Sequence, residues 1–242
     1  YSVLVSQSNE RWEEEKNIVK TMLAKKIDGL AISLASETTD YKHFDAVISR
    51  GVPVVFFDRV PLDKRSSCVR IDNRTAAYNA VMHLIKQGCT RIVHLSGPQA
   101  ISVYKDRQDG YVQALIDSDI RVDSSLIFEN SITLATGEKA GEKILEMPVL
   151  PDAIFSAGDY SAMGVMHVLK KNGVKVPEDI AIVGFANEPF DSFVEPPLSS
   201  VDQVYKKMGE TVAEVLLEEM SVEPENRKWV DKVLDSSLII RE

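Results

Sequence analysis

An α/β fold built on parallel sheets is what the sequence predicts, and two observations predict it. Short apolar runs of strand length alternate along the chain with stretches of helical period. The apolar runs are also near-continuous rather than alternating. That is the pattern of strands covered on both faces, as a parallel sheet between helices requires.

The elements follow in order. Val3-Leu4-Val5 reads as a short strand. Glu10 to Lys26 reads as a helix with Ile18, Val19, Met22 and Leu23 on one face. Its Glu13, Glu14 and Glu15, set among Lys16, Lys20, Lys25 and Lys26, read as a solvated face. Gly29 to Leu34 is a strand, and Phe44, Val47 and Ile48 give the next helix one apolar face. Gly51 to Asp58 is the strongest strand, being rich in β-branched and aromatic residues. Val69-Arg70-Ile71 is a brief strand, and Arg74 to Gln87 is a helix with Gly88 placed to end it. Strands at Ile92 to Leu95 and Leu126 to Phe128 are each followed by a helix, Arg107 to Ser118 and Thr136 to Glu146. After the strand Ala153 to Ser156, Asp159 is placed to cap a helix that runs to Asn172 and stops at Gly173. Ile180 to Phe185 is a strand, Ser199 to Val201 a brief one, and Val204 to Met220 a helix. Trp229 to Leu234 and Leu238 to Ile240 close the chain as strands.

Right-handed crossovers align the strand carboxyl ends along one edge, and open α/β sheets bind ligands just outside those ends. Function is therefore expected around Asp58, Asp72, Gly97, Asp159 and Asn187.

Composition narrows the class. The 242 residues, 44% apolar and 27% charged, fit one large soluble domain or two small ones. No apolar run approaches the ~20 residues of a membrane-spanning helix, so no membrane partner is expected. Tyr1 to Val5 is too short for the core of a signal peptide, and the chain does not open on Met, so a preceding segment is expected. The net charge of −9 comes with no basic patch, so any DNA contact must come from another segment. Cys68 and Cys89 fit no zinc or redox spacing and read as buried free thiols.

Familiar catalytic motifs are missing. The glycines form no dinucleotide fingerprint, and there is neither a phosphate-binding loop nor a nucleophile elbow. His43, His83, His94 and His167 lack the spacing of a zinc site, and His94, inside an apolar strand, reads as a satisfied core histidine. Asp58, Asp72 and Asp159 could pair for hydrolysis, but acids at strand ends also cap helices and accept from hydroxyls. No catalytic residue, cofactor or metal is expected.

Three segments together carry a resemblance. The first is Gly51-Val52-Pro53-Val54-Val55-Phe56-Phe57-Asp58-Arg59 with Val69-Arg70-Ile71-Asp72-Asn73. The second is His83 to Gly88, then Arg91-Ile92-Val93-His94-Leu95-Ser96-Gly97-Pro98, with Arg107 and Gly110-Tyr111 following. The third is Val176 to Phe185, then Pro196-Pro197-Leu198-Ser199-Ser200-Val201-Asp202-Gln203. In order and spacing they resemble the effector-binding core of LacI/GalR-type transcription regulators. The resemblance implies two Rossmann-like lobes with parallel sheets, of the periplasmic-binding-protein-like type I, joined by three crossover strands. By position the crossovers fall near Asp72 to Arg74, Asp202 to Gln203 and Asp235 to Ser236. One lobe is then residues 1–72 with 203–235, the other 74–202 with 236–242. The brief Val69 to Ile71 and Ser199 to Val201 segments then read as hinge crossovers rather than main strands. The family's helix-turn-helix headpiece, its hinge helix and the first strand and helix of the lobe have no counterpart here, since Tyr1 matches the lobe's second strand.

The resemblance also implies roles. It makes the chain a cytoplasmic sensor that binds a small effector, of sugar type, in the cleft between lobes. Lobe rotation would then alter the spacing of two headpieces on operator DNA through a homodimer. Arg107 matches the family's ligand-contacting arginine, and its guanidinium can donate paired hydrogen bonds to hydroxyls or an anion; the alternative is a helix-start pair with Asp106 or Asp109. Asp58 can accept from hydroxyls or serve as a turn residue. Asp159 can line the cleft or cap its helix. Asp72, Asn73 and Gln203 sit at expected hinges, where they touch ligand or satisfy the backbone. At Gly184-Phe185-Ala186-Asn187-Glu188 the sequence departs from the family, which commonly has an acid where Ala186 stands; Asn187 offers a donor and an acceptor in its place. Tyr104 and Phe190 can stack on a sugar ring or pack internally. The alternative function is a periplasmic sugar-binding protein serving a transporter or chemoreceptor, which would share the fold.

Overall fold

The computed structural model describes residues 1–61 and 66–241. Glu242, the last residue of the expected second lobe, lies outside them, as do residues 62–65. In chain order the elements are α1 (Trp12–Ala24), β1 (Leu30–Ile32), α2 (Asp45–Ile48), β2 (Val54–Phe57), β3 (Ser67–Ile71), α3 (Asn73–Lys86), β4 (Ile92–Leu95), α4 (Ser102–Asp117), β5 (Ile127–Phe128), α5 (Leu134–Leu145), β6 (Ala153–Ser156), α6 (Asp159–Lys171), β7 (Ala181–Ala186), β8 (Ser199–Asp202), α7 (Tyr205–Met220), β9 (Asp231–Leu234) and β10 (Ser237–Ile239). They form two compact units, Tyr1–Ile71 with Val204–Leu234, and Asp72–Gln203 with Asp235–Glu242.

Unit 1 holds a four-stranded sheet ordered β1-β2-β3-β9, every pair parallel. Its core packs Val54 and Phe56 of β2 and Cys68 of β3 with Val19 and Leu23 of α1 and with Phe44 and Val47. Phe44 meets Phe56 edge-on at 5.0 Å between centroids, a favoured aromatic geometry.

Unit 2 holds a six-stranded sheet ordered β10-β8-β7-β6-β4-β5. All its pairs are parallel except β10 with β8, which is antiparallel. Val93, Leu95, Ile154 and Ile182 from the strands pack on Ala162, Val165 and Leu169 of α6 and Ile144 of α5. Local chemistry sets the helix ends. Asp72 caps α3 by accepting from the Thr75 N–H at 3.0 Å. Past the other end of α3, Gly88 takes φ +97°, and its N–H returns to the Ile85 carbonyl at 2.9 Å. Thr133 and Thr136 satisfy each other's backbone N–H groups at the start of α5.

Five expectations need correction. Val3 to Val5 is not a strand; the three side chains are exposed, and among the described residues no strand pairs with the segment. Val69 to Ile71 belongs to the five-residue β3, an interior strand between β2 and β9, and Ser199 to Val201 to the four-residue β8, interior between β7 and β10. Both are ladder members rather than brief connectors: Ser67 and Cys68 extend the pairing of β3, and Asp202 that of β8. Helix α4 begins at Ser102, a turn and more before Arg107. Asp159 does not cap α6; Gly158 holds that place with an extended backbone. Glu15 is not solvated but 2% exposed. It shares the buried face of α1 with Val19, Met22 and Leu23, and accepts from Ala35 N–H (2.6 Å), Thr38 Oγ1 (2.8 Å) and His43 Nε2 (2.8 Å). The mixed charges predicted a solvated face there, whereas the fold closes Glu15 in with donors.

Candidate functional site

In unit 2 the carboxyl ends of β4, β6, β7 and β8 hold a network of buried polar groups. Arg107, on the second turn of α4, is 4% exposed. Its Nε donates to Asn73 Oδ1 at 2.9 Å, and its Nη1 donates to the Ala157 carbonyl at 2.8 Å. The guanidinium carbon lies 3.7 Å from the ring centroid of Phe185 and 5.6 Å from that of Tyr104. Thus α3, the turn after β6, the end of β7 and α4 all converge on one cation. Planar stacking on an aromatic face and donation in fixed directions are what a guanidinium does better than an ammonium. The Tyr104 ring lies so close over Gly97 that a Cβ there would meet its Cγ at 2.3 Å. Asp109, one alternative partner for Arg107, is instead paired with Lys105 at 2.7 Å.

A second group surrounds the end of β7. Asp159, 1% exposed, accepts from Ser200 Oγ on Oδ1 (2.7 Å) and from the Glu188 N–H on Oδ2 (3.1 Å). Gly184 makes room for this carboxylate, since a Cβ there would stand 2.0 Å from Asp159 Oδ1. Asn187 has φ +57°, a conformation asparagine tolerates, and Ala186 has φ +146°. The Asn187 N–H donates to Ser200 Oγ at 3.0 Å, and its Oδ1 accepts from Arg241 Nη2 at 2.6 Å. Asp191, in the short helical turn Pro189–Ser192, is fully buried, and neither carboxyl oxygen meets a donor among the described residues. Burial, then the neighbouring Asp159 charge, pushes its pKa up to about 8, against the pull of Arg241.

His94 on β4 is also fully buried, stacked between Tyr111 and Phe155 at 4.9 and 5.0 Å. Its Nδ1 donates to the Phe155 carbonyl at 3.1 Å, while Nε2 has no partner among the described residues. The ring is therefore half-satisfied rather than fully so. Burial lowers its pKa to about 4, which keeps it neutral.

The remaining candidates stand as follows. Asp72 directs its carboxylate to Thr75, both N–H and Oγ1. Gln203 is half-buried and precedes Val204, whose φ of +48° opens α7. In unit 1, Asp58 follows β2 with φ +55°, and its N–H donates to the Val69 carbonyl at 3.0 Å. Phe190 packs edge-on against Tyr160 at 4.9 Å. Sequence reasoning thus named Arg107, Asn73, Asp159 and Asn187. It missed Phe185, Ser200, Asp191 and Arg241, which look like ordinary strand or loop residues until folding joins them. Among the described residues no cluster of three or more His, Cys, Asp or Glu is placed to hold a metal ion, and no helix is long and apolar enough to cross a membrane.

Comparison with known proteins gives the lineage. A family model for the periplasmic binding protein-like domain matches residues 81–242. The chain is 33% identical over 244 aligned positions to the HTH-type transcriptional repressor CytR of Escherichia coli K12, covering all of this chain and 70% of that protein. It superposes with a TM-score of 0.88 on the transcription regulator CcpA of Lactococcus lactis, at 28% identity, covering 98% of this chain and 86% of that one. The cellobiose complex of the transcriptional regulator CelR gives a TM-score of 0.85 at 30% identity, covering 96% and 70%. The buried arginine and the strand-end acids of unit 2 therefore sit in a known lineage: the chain belongs to the LacI/GalR-type transcriptional regulators, as their periplasmic-binding-protein-like, effector-sensing domain.

Proposed function

We propose that this domain senses a small polyhydroxylated molecule of the sugar class and does no chemistry on it. The observation that carries this reading is Arg107, held rigidly by Asn73, the Ala157 carbonyl and the Phe185 ring at the carboxyl edge of the unit 2 sheet. A cation fixed this way presents donors at little entropic cost to a hydroxyl, carboxylate or phosphate oxygen. Asn187 adds a neutral donor and acceptor from the next strand end. The sugar class is carried over from CelR, which is found in complex with cellobiose.

In this reading Arg107 and Asn187 touch the effector, with Gln203 and Asp159 beside them in unit 2. Asp72 and Asp159 act mainly by holding backbone groups in place. Effector binding shifts the population of domain states only by its differential affinity for them. A coupling of about 1–3 kcal/mol changes operator affinity by roughly 5–150-fold. Operator DNA is bound through a helix-turn-helix headpiece outside this chain, in a cytoplasmic homodimer whose two recognition helices lie about 34 Å apart.

A thermal-shift screen of sugars, sugar phosphates, sugar acids and nucleobases tests the reading. A true effector at 100-fold its Kd adds about 2.7 kcal/mol of stability. Arg107→Ala abolishes that gain, and incubation leaves the hit chemically unchanged. A hit that stabilises Arg107→Ala as fully as the wild type, or that is turned over, sinks the proposal.

A further inference from the structure

The turn after β7 is strained, and a pair of buried acids holds it. Ala186 has φ +146°, which an alanine keeps only when its surroundings impose it, and Asn187 follows it at φ +57°. The restraints are few and specific. Asp159 takes the Glu188 N–H, Ser200 Oγ takes the Asn187 N–H, and Arg241 takes the Asn187 side chain. Below them, Asp191 ties the turn to the residue that precedes β8, since the Leu198 N–H donates to its carbonyl at 2.8 Å.

The two carboxyl groups are not equivalent. Asp159 already receives two donors, the Ser200 hydroxyl and the Glu188 N–H. Asp191 receives none among the described residues, is fully buried, and sits beside Asp159 across one peptide unit: Glu188 donates its N–H to Asp159 and accepts the Asp191 N–H on its carbonyl at 3.0 Å. Two acceptor-only groups cannot bond each other; one must carry a proton. Placing that proton on Asp191 gives the orphaned carboxyl an O–H donor beside an acceptor-only neighbour. The other charges facing Asp191 are Glu188, which favours the proton, and Arg241, which opposes it. Arg241 is already engaged at 2.6 Å by the Leu198 carbonyl and at 2.6 Å by Asn187 Oδ1.

We infer that Asp159 and Asp191 share a single proton, and that this proton is a latch on the strained Ala186–Ser192 turn. Its release to solvent base leaves two like charges in contact, buried in low dielectric. Repulsion then loosens the Glu188 N–H bond to Asp159 and with it the conformation of Asn187. The consequence for a ligand rests on reading Asn187 as a contact, but the latch itself does not.

Carbon-detected NMR of the aspartate carboxyls in the full chain, from about pH 5 to about pH 9, tests it. The Asp191 carboxyl carbon is expected to titrate far above the surface aspartates, and the Glu188 amide to move with the same midpoint. Asp191→Asn keeps a donor toward Asp159, so its Glu188 amide should be flat across that range. Asp159→Asn removes the like charge and should lower the Asp191 midpoint by more than about one pH unit. An Asp191 carboxyl that titrates with the surface acids overturns the latch. So does a Glu188 amide whose pH response survives in Asp191→Asn, or an Asp191 midpoint unmoved by Asp159→Asn. None of these readouts involves an effector, so they fail independently of the ligand reading.

Discussion

The guanidinium of Arg107 lies 3.7 Å from the ring centroid of Phe185, a residue of the strand on the far side of β6 from β4. The contact joins a helix residue to a strand end that lies far from it in sequence. It gives the cation an aromatic floor, while Asn73 and the Ala157 carbonyl fix its edges. Removing the side chain should therefore cost stability as well as ligand response. Arg107→Ala leaves a buried amide oxygen and a buried carbonyl without a donor, and we expect a loss of about 2 kcal/mol. Phe185→Leu keeps the hydrogen bonds but removes the ring, for a loss of about 1 kcal/mol from the cation–π term beyond the packing change. Urea unfolding followed at unit 2 measures both; an unchanged midpoint for Arg107→Ala would contradict the network.

Glu15 makes a comparable prediction for unit 1. Its carboxylate accepts from Ala35, Thr38 and His43 within a nearly water-free pocket. Glu15→Ala strands three donors and should lower unit 1 stability by about 3 kcal/mol. Glu15→Gln keeps one acceptor oxygen and should lose less than half of that. Denaturation midpoints with an unchanged slope are the check.

His94 predicts acid lability. Its folded pKa is held near 4, against an ordinary value of 6.5. Between those values the unfolded chain binds a proton that the folded chain does not. Stability is therefore full above about pH 6.5 and falls as the pH drops toward about 4, by about 3 kcal/mol in all. In the same window Asp191, with its raised pKa, works in the opposite sense: the folded chain holds a proton that the unfolded chain has lost, so stability falls as pH rises, up to about 8. The two effects overlap on the acid side, so the His94 part is read as the difference between wild type and His94→Phe. That variant should unfold at lower pH than the wild type; identical acid transitions would show that His94 does not drive the effect.

Gly184 predicts a steric penalty at the second polar group. A methyl at this position would meet Asp159 Oδ1 at 2.0 Å and Leu198 Cδ2 at 3.1 Å. Gly184→Ala must push the Asp159 carboxylate away from Ser200 or from the Glu188 N–H, at a cost of about 2 kcal/mol. Amide exchange at Glu188 should speed up in this variant. Protection equal to wild type would mean that the sheet, not the carboxylate, yields.

The α/β architecture was legible because it is written locally. Runs such as Val54 to Phe57 and Ala153 to Phe155 are apolar at every position and of strand length, which suits a strand covered on both faces. Helix α3 carries its own stop signal in Gly88, and α6 in Gly173. A family likeness spread over three motifs then pointed to the sensing domain, and Arg107 could be named from its place after Gly97-Pro98. What the sequence could not express is pairing across distance. Val3 to Val5 has strand composition, but a strand exists only with a ladder partner, which a local pattern cannot report. Glu15 sits among charges in sequence yet faces a core, because the helix turns that position toward donors twenty or more residues away. Arg107 finds Asn73 thirty-four positions earlier and Ala157 fifty later. Asp191, flanked by Phe190 and Ser192, carries no signal at all until the fold buries it beside Asp159. The sequence by itself determined the order of strands and helices and the kind of domain they build. Only the tertiary structure decided which polar groups lose water together, and that loss, by making each unpaired donor and acceptor costly, sets the chemistry of the site.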